Sequence, residues 1–355
     1  MSVFEHRSFD EHEHVAFCHD KQTGLKAIIA VHNSNLGQAM GGCRMFNYHS
    51  GDEALNDVLR LSRGMTYKSA AANIPVGGAK SVILGDPRQH KTDDLMRAMG
   101  RFIDSLGGLY VGAEDSGMHE RDMKIMASET QHVAGFALQK GERGDPSPAT
   151  AYGVFIGLKK AVQHKLKTSD LKGVRVAIQG LGNVGYRLAG LLHEAGAELL
   201  VSDVYQANAD RAVQNYNATL IAPDQIFSQS VDVVAPCALG SIIDDVVLNQ
   251  LQAKIIAGSA NNQLAHDDLG MALKARGILY VPDYVLNAGG IIDVYYQRQG
   301  ASYDDAHSHI TNSIDQTLAE VFRKSDMMGR STNVIADEVA RERFDPNFHS
   351  EDAVA

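Results

Sequence analysis

Lys68 and Lys80 share one stretch, GMTYKSAAANIPVGGAKSVIL over residues 64–84. Lys68 falls near the end of a helical pattern. Lys80 stands at the start of an apolar, β-branched run, and Pro75, Gly77 and Gly78 lie between them. The chain must turn there, so both amines can face one cleft. Two ammonium groups in a partly dry pocket repel each other and lose hydration. Both effects favour a neutral amine able to accept a proton.

A second constellation reads VRVAIQGLGNVG at 174–185. Gly180, Gly182 and Gly185 form G-x-G-x-x-G between a strand pattern and a helix pattern, with Asn183 and Val184 at the variable positions. Gly180 permits a tight turn, Gly182 lets backbone approach a pyrophosphate, and Gly185 lets helix close on strand. The helix N-terminus offers N–H groups and a positive dipole end to the anion. Asp203, ending the strand pattern ELLVSD, can accept hydrogen bonds from ribose hydroxyls and would repel a 2′-phosphate. Val204 and Tyr205 follow without an arginine. The expected cofactor is NAD rather than NADP.

Around these residues, strand patterns at 25–32, 80–84 and 109–113 alternate with helical ones. Ser50 and Glu53 have capping-box spacing, and Leu55, Val58, Leu59 and Met65 continue a helix that must end before Pro75. Further helices are expected at 94–106 and 118–132. The polar segment QKGERGDPS at 139–147 reads as a domain boundary. Beyond it come a helix at 150–164, a strand at 174–179, a helix reaching Gly196, and strands at 198–201, 231–235, 254–258 and 278–281. Such alternation implies a parallel sheet with helices on both faces. Residues 303–343 read as helices alone. The expectation is an α/β protein of two domains separated by a cleft, the second of Rossmann type. The first takes 1–138, with helices of about 330–355 returning to it, and binds substrate; the second takes 147–330 and binds NAD.

The chain has 355 residues, 44% of them apolar, enough for two cores. A net charge of −10 argues against a general nucleic-acid binder. No apolar run is long enough to cross a bilayer. The polar, His-rich residues 1–20 lack a signal-peptide core, so a cytoplasmic protein is expected. Cys18, Cys43 and Cys237 are few and odd in number, which suits a reducing compartment; Cys43 reads as a small buried residue. His12, His14, Cys18 and His19 have zinc-like types, but a strand with exposed imidazoles is the preferred reading, and no metal is expected. Asp304 and Asp305 read as a helix start.

Nine motifs together resemble the glutamate, leucine, phenylalanine and valine dehydrogenase family over nearly the whole chain. They are AMGGCR at 39–44, LSRGMTYK at 61–68, GGAK at 77–80, GAEDSG at 112–117, SPATAYGV at 147–154, GLGNVG at 180–185, APCALG at 235–240, AGSANNQL at 257–264 and PDYVLNAGG at 282–290. The resemblance implies that Lys80 is the catalytic lysine and that Lys68 grips the substrate α-carboxylate, with Gly41 and Gly42 also in the substrate site. It implies that Asp115 handles protons at the α-amino group, that Asn262 orients the nicotinamide and that Thr150 lies near its carboxamide. Oxidation of an L-amino acid at Cα then gives an iminium ion, which water activated by Lys80 converts to a 2-oxo acid and ammonia. A homo-oligomer, commonly an octamer, is also implied.

In glutamate-specific members a lysine matches Met40 and a serine matches Val294. Met40, Ala113, Ile291 and Val294 are apolar here. An unpaired carboxylate in such a pocket would cost several kcal/mol. Leucine, valine and isoleucine are therefore the expected substrates. A phenylalanine or tryptophan enzyme on the same scaffold is the alternative, because methionine adapts its shape. A catalytically silent NAD-binding regulator has no need of Lys68, Lys80 and Asp115 together.

Overall fold

A computed structural model describes residues 2–136 and 144–348; residues 139–143 of the expected boundary lie outside the described residues. The chain divides into two compact units. One is Met1–Asp145 with Gln297–Gly300 and Arg341–Ala355, and the other is Pro146–Tyr296 with Ala301–Ala340.

The first unit runs β1 His14–Asp20, β2 Leu25–Asn33, β3 Ala39–Phe46, α1 Gly51–Ala71, β4 Gly77–Leu84, α2 Asp93–Asp104, β5 Tyr110–Glu114 and α3 Glu120–Ala127. Its sheet has the order β1-β2-β4-β3-β5. The β1/β2 and β2/β4 pairs are antiparallel, and the β3/β4 and β3/β5 pairs are parallel. One face carries Ile29, Cys43, Ala79, Ile83 and Tyr110 into a core with Met96, Met99 and Ile103 of α2 and Met123 and Met126 of α3. The other face packs Ile28, Ala30 and Val82 on Ala54, Val58 and Leu59 of α1. Side chains alternate along a strand, so Met40, Gly42, Arg44 and Lys80 lie with Val82 on the α1 face.

Several local expectations need correction. Ser50 caps α1 by accepting from the Glu53 N–H, but Glu53 accepts from the His49 N–H at 2.7 Å, so the capping box is not reciprocal. Lys80 is the fourth residue of β4 rather than its first. The helix expected over 118–132 stops at Ala127, and residues 132–134 hydrogen-bond alongside Gly112 of β5. β3 has no counterpart in the sequence reading, because two glycines in a row argue against a strand.

The second unit runs α4 Ser147–Leu166, β6 Arg175–Gln179, α5 Asn183–Glu194, β7 Glu198–Ser202, α6 Gln206–Tyr216, β8 Thr219–Leu220, β9 Val233–Pro236, α7 Asp245–Gln250, β10 Ile255–Ile256, α8 Leu269–Ala275, β11 Leu279–Tyr280, α9 Asp283–Leu286, α10 Gly289–Arg298, α11 Tyr303–Met328 and α12 Thr332–Phe344. Its strands are all parallel in the order β11-β10-β9-β6-β7-β8. Read from β6 outward on both sides, this is the Rossmann order. Ala177, Val234 and Ile256 of the sheet join Leu269 and Leu273 of α8 in its core. Asp305 completes the capping box of Ser302 that starts α11.

The return to the first unit begins at Arg341, later than the expected 330. Bonds from Thr332 to the Tyr280 carbonyl and from Tyr284 to Asp337 tie most of α12 to the second unit. Past Ala340, Arg343 donates to the Ala70 and Ala71 carbonyls at the end of α1, and Phe344 meets the rings of Tyr67 and His32. No helix among the described residues is long and apolar enough to cross a membrane.

Candidate active site

Lys80 is buried, 6% exposed, on the α1 face of β4. The GGAK glycines allow this. A Cβ on Gly78 would lie 2.1 Å from the backbone nitrogen of Thr66, so glycine lets α1 press on β4 beside Lys80. Across the sheet, a Cβ on Gly41 would lie 1.7 Å from the Ala79 carbonyl oxygen. One on Gly42 would lie 2.7 Å from Asp115 Cβ and 2.9 Å from Lys80 Nζ. Gly42 thus leaves the room in which these two side chains meet.

Lys80 Nζ donates to Asp115 Oδ2 at 2.8 Å. The same oxygen accepts from Arg44 Nε at 3.0 Å. Burial alone would raise the Asp115 pKa. The Lys80 and Arg44 cations outweigh it, with help from the Ser116 N–H, and hold the carboxyl well below the usual carboxylate range. The compensating anion is therefore present beside Lys80.

Lys68 is half-buried in the last turn of α1, which packs on β4. Met40 is 2% exposed, between Gly78 of β4 and Val111 of β5. Ala113 pairs with Gly42 in register. On the opposite face, Cys43 is fully buried, and burial pushes its thiol up to about 12.

The second unit holds the glycine-rich turn. Gly180 has φ +95°, and a Cβ there would lie 2.7 Å from that of Ala238. A Cβ on Gly185 would lie 2.0 Å from the Gly180 carbonyl oxygen, so this glycine lets α5 close on β6. Gly182, the N-cap of α5, has nothing within 4 Å of its Cβ position. Asn183, Val184 and Gly185 then form the first turn, whose N–H groups lack helical acceptors. Asp203 Oδ2 accepts from the Leu181 N–H at 2.6 Å and Oδ1 from the Tyr205 N–H at 2.8 Å. This carboxylate ties the end of β7 to the turn, a structural use beyond the expected ribose contact. An open backbone cradle at a helix N-terminus, with a carboxylate behind it, fits a dinucleotide.

Thr150 and the start of α10 are close: a Cβ on Gly290 would lie 2.6 Å from Thr150 Oγ1. Ile291 follows directly, half-buried, and Val294 is buried one turn on. Asn262 is exposed with φ +50°, and its carbonyl accepts from the Ser241 N–H at 2.6 Å. Met40 and Ala113 belong to the first unit, and Ile291 and Val294 to the second.

Sequence reasoning missed Arg44, although it ends AMGGCR. Its partners Asp115 and Asp57 come from other elements. It also misjudged His12, which is buried rather than exposed, with Nε2 3.0 Å from the Leu59 carbonyl oxygen and 3.1 Å from Ser62 Oγ. Burial pushes His12 down to about 4. Among the described residues, no three His, Cys, Asp or Glu side chains gather as a metal ion would need.

The model of the Glu/Leu/Phe/Val dehydrogenase dimerisation domain matches residues 12–132, and the Glutamate/Leucine/Phenylalanine/Valine dehydrogenase model matches 141–207 and 201–335. Leucine dehydrogenase of Bacillus cereus is 46% identical over 344 residues, spanning 97% of this chain and 94% of that protein. Phenylalanine dehydrogenase of Bacillus thermotolerans is 42% identical over 349 residues, spanning 97% and 91%. The crystal structure of L-tryptophan dehydrogenase from Nostoc punctiforme superposes with a TM-score of 0.84 at 44% identity, covering 95% of this chain and 96% of that one. With this likeness running through both units, the chain belongs to the glutamate, leucine, phenylalanine and valine dehydrogenase family and is an amino-acid dehydrogenase.

Proposed function

We propose that this enzyme catalyses NAD-dependent oxidative deamination of branched aliphatic L-amino acids to 2-oxo acids and ammonia, and the reverse reductive amination. The observation that carries the reading is the Lys80–Asp115 pair, 2.8 Å apart with the buried Lys80 beside Gly42, on the same sheet face as the apolar Met40. Gly180, Gly182, Asn183, Val184, Gly185 and Asp203 would hold NAD, with Thr150 and Asn262 at the nicotinamide end. When bound, NAD supplies the acceptor for the hydride from Cα. Lys68 binds the α-carboxylate, with Gly41 and Gly42 beside it. Asp115 takes a proton from the α-ammonium group. Lys80, in its amine form, takes a proton from the water that attacks the iminium carbon, and the carbinolamine releases ammonia.

The Asp203 carboxylate supports NAD over NADP by repulsion of a 2′-phosphate. Met40, Ala113, Ile291 and Val294 support an aliphatic substrate, because they offer a charged side chain no partner. The tryptophan and phenylalanine enzymes among the relatives keep an aromatic substrate as the second reading. The dimerisation-domain match supports a homo-oligomer, of which the octamer is the form to test by mass photometry. Three unpaired cysteines suit a reducing cytoplasm.

The deciding experiment follows nicotinamide absorbance with a panel of amino acids and both coenzymes. Leucine, valine and isoleucine should be oxidised with NAD, and glutamate should be nearly inert. Met40→Lys combined with Val294→Ser should move preference toward glutamate. A wild-type preference for phenylalanine or tryptophan would replace the aliphatic assignment, and inertness toward every amino acid would remove the catalytic one.

A further inference from the structure

Asp115 follows the last residue of β5, so the strand ladder does not fix its side chain. Two cations from two other strands hold it through one oxygen, Lys80 at 2.8 Å and Arg44 at 3.0 Å. Lysine is a point charge on a flexible stem, whereas arginine offers a planar fork with donors in fixed directions. The fork is used. While Nε holds Asp115, Nη1 donates to Asp57 Oδ2 on α1 at 2.9 Å, and the Tyr48 hydroxyl donates to that same Asp57 oxygen at 2.6 Å. Burial, and then the bond to Asp57, push the Tyr48 hydroxyl well up, so it remains a donor. Two cations and two carboxylates balance within this chain of contacts, so it costs no net buried charge.

We propose that Arg44 is the positioning residue of the site: it anchors the Asp115 carboxylate toward Lys80, and Asp57 with Tyr48 anchors Arg44 in turn. This rests on reading Lys80 and Asp115 as the reacting pair. Arg44 acts through Asp115 and need not touch the substrate.

Arg44→Met should lower kcat by roughly 100-fold, with KM for the amino acid changed by less than about threefold, because orientation and electrostatic preorganisation are lost but substrate binding is not. Its acid limb should also move to higher pH, since Asp115 keeps only Lys80 as a near cation. The other titratable groups within electrostatic reach of this carboxylate are Tyr48 after β3 and, from the opposite face of the sheet, Cys43 of β3 and Tyr110 of β5, with Asp57 of α1 beyond Arg44. Arg44→Lys keeps the charge but cannot span both carboxylates, so it should restore the acid limb and leave kcat about tenfold low. Asp57→Ala, which frees the far arm of Arg44, should likewise lower kcat with little movement of the limb.

A crystal structure of Arg44→Met gives a readout without turnover: the Asp115 carboxylate should swing away from Lys80. An unmoved carboxylate, or a kcat within twofold of wild type, overturns the proposal. So does a raised KM at unchanged kcat, which would make Arg44 a substrate clamp. If Arg44→Met does not fold, Arg44→Lys and Asp57→Ala carry the same tests. Asp115→Asn separates this proposal from the functional reading. If that variant stays active, the reacting pair is wrong. If it is inactive while the Arg44 variants behave as wild type, only the role of Arg44 fails.

Discussion

Around Lys80, chemistry is placed by side chains. Lys80, Asp115, Arg44, Asp57 and Tyr48 come from two strands, a helix and two connecting segments, and charge-assisted bonds of 2.6–3.0 Å hold them. Around Gly182, it is placed by backbone. The glycine-rich turn presents N–H groups at the start of α5, and Asp203 at the end of β7 ties that turn down through the Leu181 N–H. The first arrangement should fail when a charge is removed and the second when an atom is added. Each should survive the insult that destroys the other.

The largest effect expected is at Lys80. Lys80→Ala should reduce turnover about 1,000-fold or more, because a positioned base typically contributes 10²- to 10⁴-fold. NAD affinity, followed by fluorescence titration, should stay within about threefold. Near-normal turnover would remove Lys80 from the mechanism, and lost NAD binding would end the separation between the two regions.

Next comes the added atom. Gly185→Val puts a Cβ about where the Gly180 carbonyl oxygen already stands, at 2.0 Å. Overpacking of about 1–3 kcal/mol should weaken NAD by roughly 10- to 100-fold, measured by calorimetry. A crystal structure should show the Lys80–Asp115 pair unmoved. Unchanged NAD affinity would mean that this turn does not hold the dinucleotide.

Asp203→Ala should have a smaller effect, about tenfold on kcat/KM with NAD, together with a narrower gap to NADP. Here the tether matters as well as the ribose. Asp203→Asn can still accept from Leu181 and should recover part of the loss. An unchanged coenzyme ratio in Asp203→Ala would place discrimination elsewhere.

The smallest effect belongs to Cys43, on the sheet face away from Lys80. Its thiol, pushed up to about 12 by burial, should resist iodoacetamide at pH 8 in the folded protein and react once guanidinium unfolds it. Cys43→Ala should leave turnover within about twofold and cost roughly 1–2 kcal/mol of stability. Mass spectrometry and thermal melts check both. Rapid native labelling would contradict the packing described.

The contrast also explains what the sequence disclosed. The turn at Gly180 could be read directly because one short, contiguous segment dictates its residue types. The strands β6 and β7 were visible for a similar reason, as apolar runs bounded by turn residues. β3 was hidden: Gly41 and Gly42 are poor strand residues, kept here because the Ala79 carbonyl and the Lys80 and Asp115 side chains occupy the space a Cβ would need. Arg44 was passed over because its meaning lies in partners 13 and 71 positions away. His12 looked exposed because its partners Leu59 and Ser62 are on α1. Local backbone demands are written locally, whereas the wiring between elements appears only when they pack.

The contact between Arg343 and the end of α1 has a consequence for how the protein is made. Arg343 and Ala70 are separated by 273 positions, with the whole second unit between them. Contacts of such sequence separation form late, after the loop-closure entropy has been met. On the ribosome the N-terminal segment emerges first. It must wait with the carbonyls of Ala70 and Ala71 lacking the Arg343 guanidinium, and with Tyr67 and His32 lacking the Phe344 ring, until those residues arrive. The first domain to be synthesised is thus the last to be completed, and the helix that carries Lys68 acquires its final packing only when nearly all of the chain has been translated.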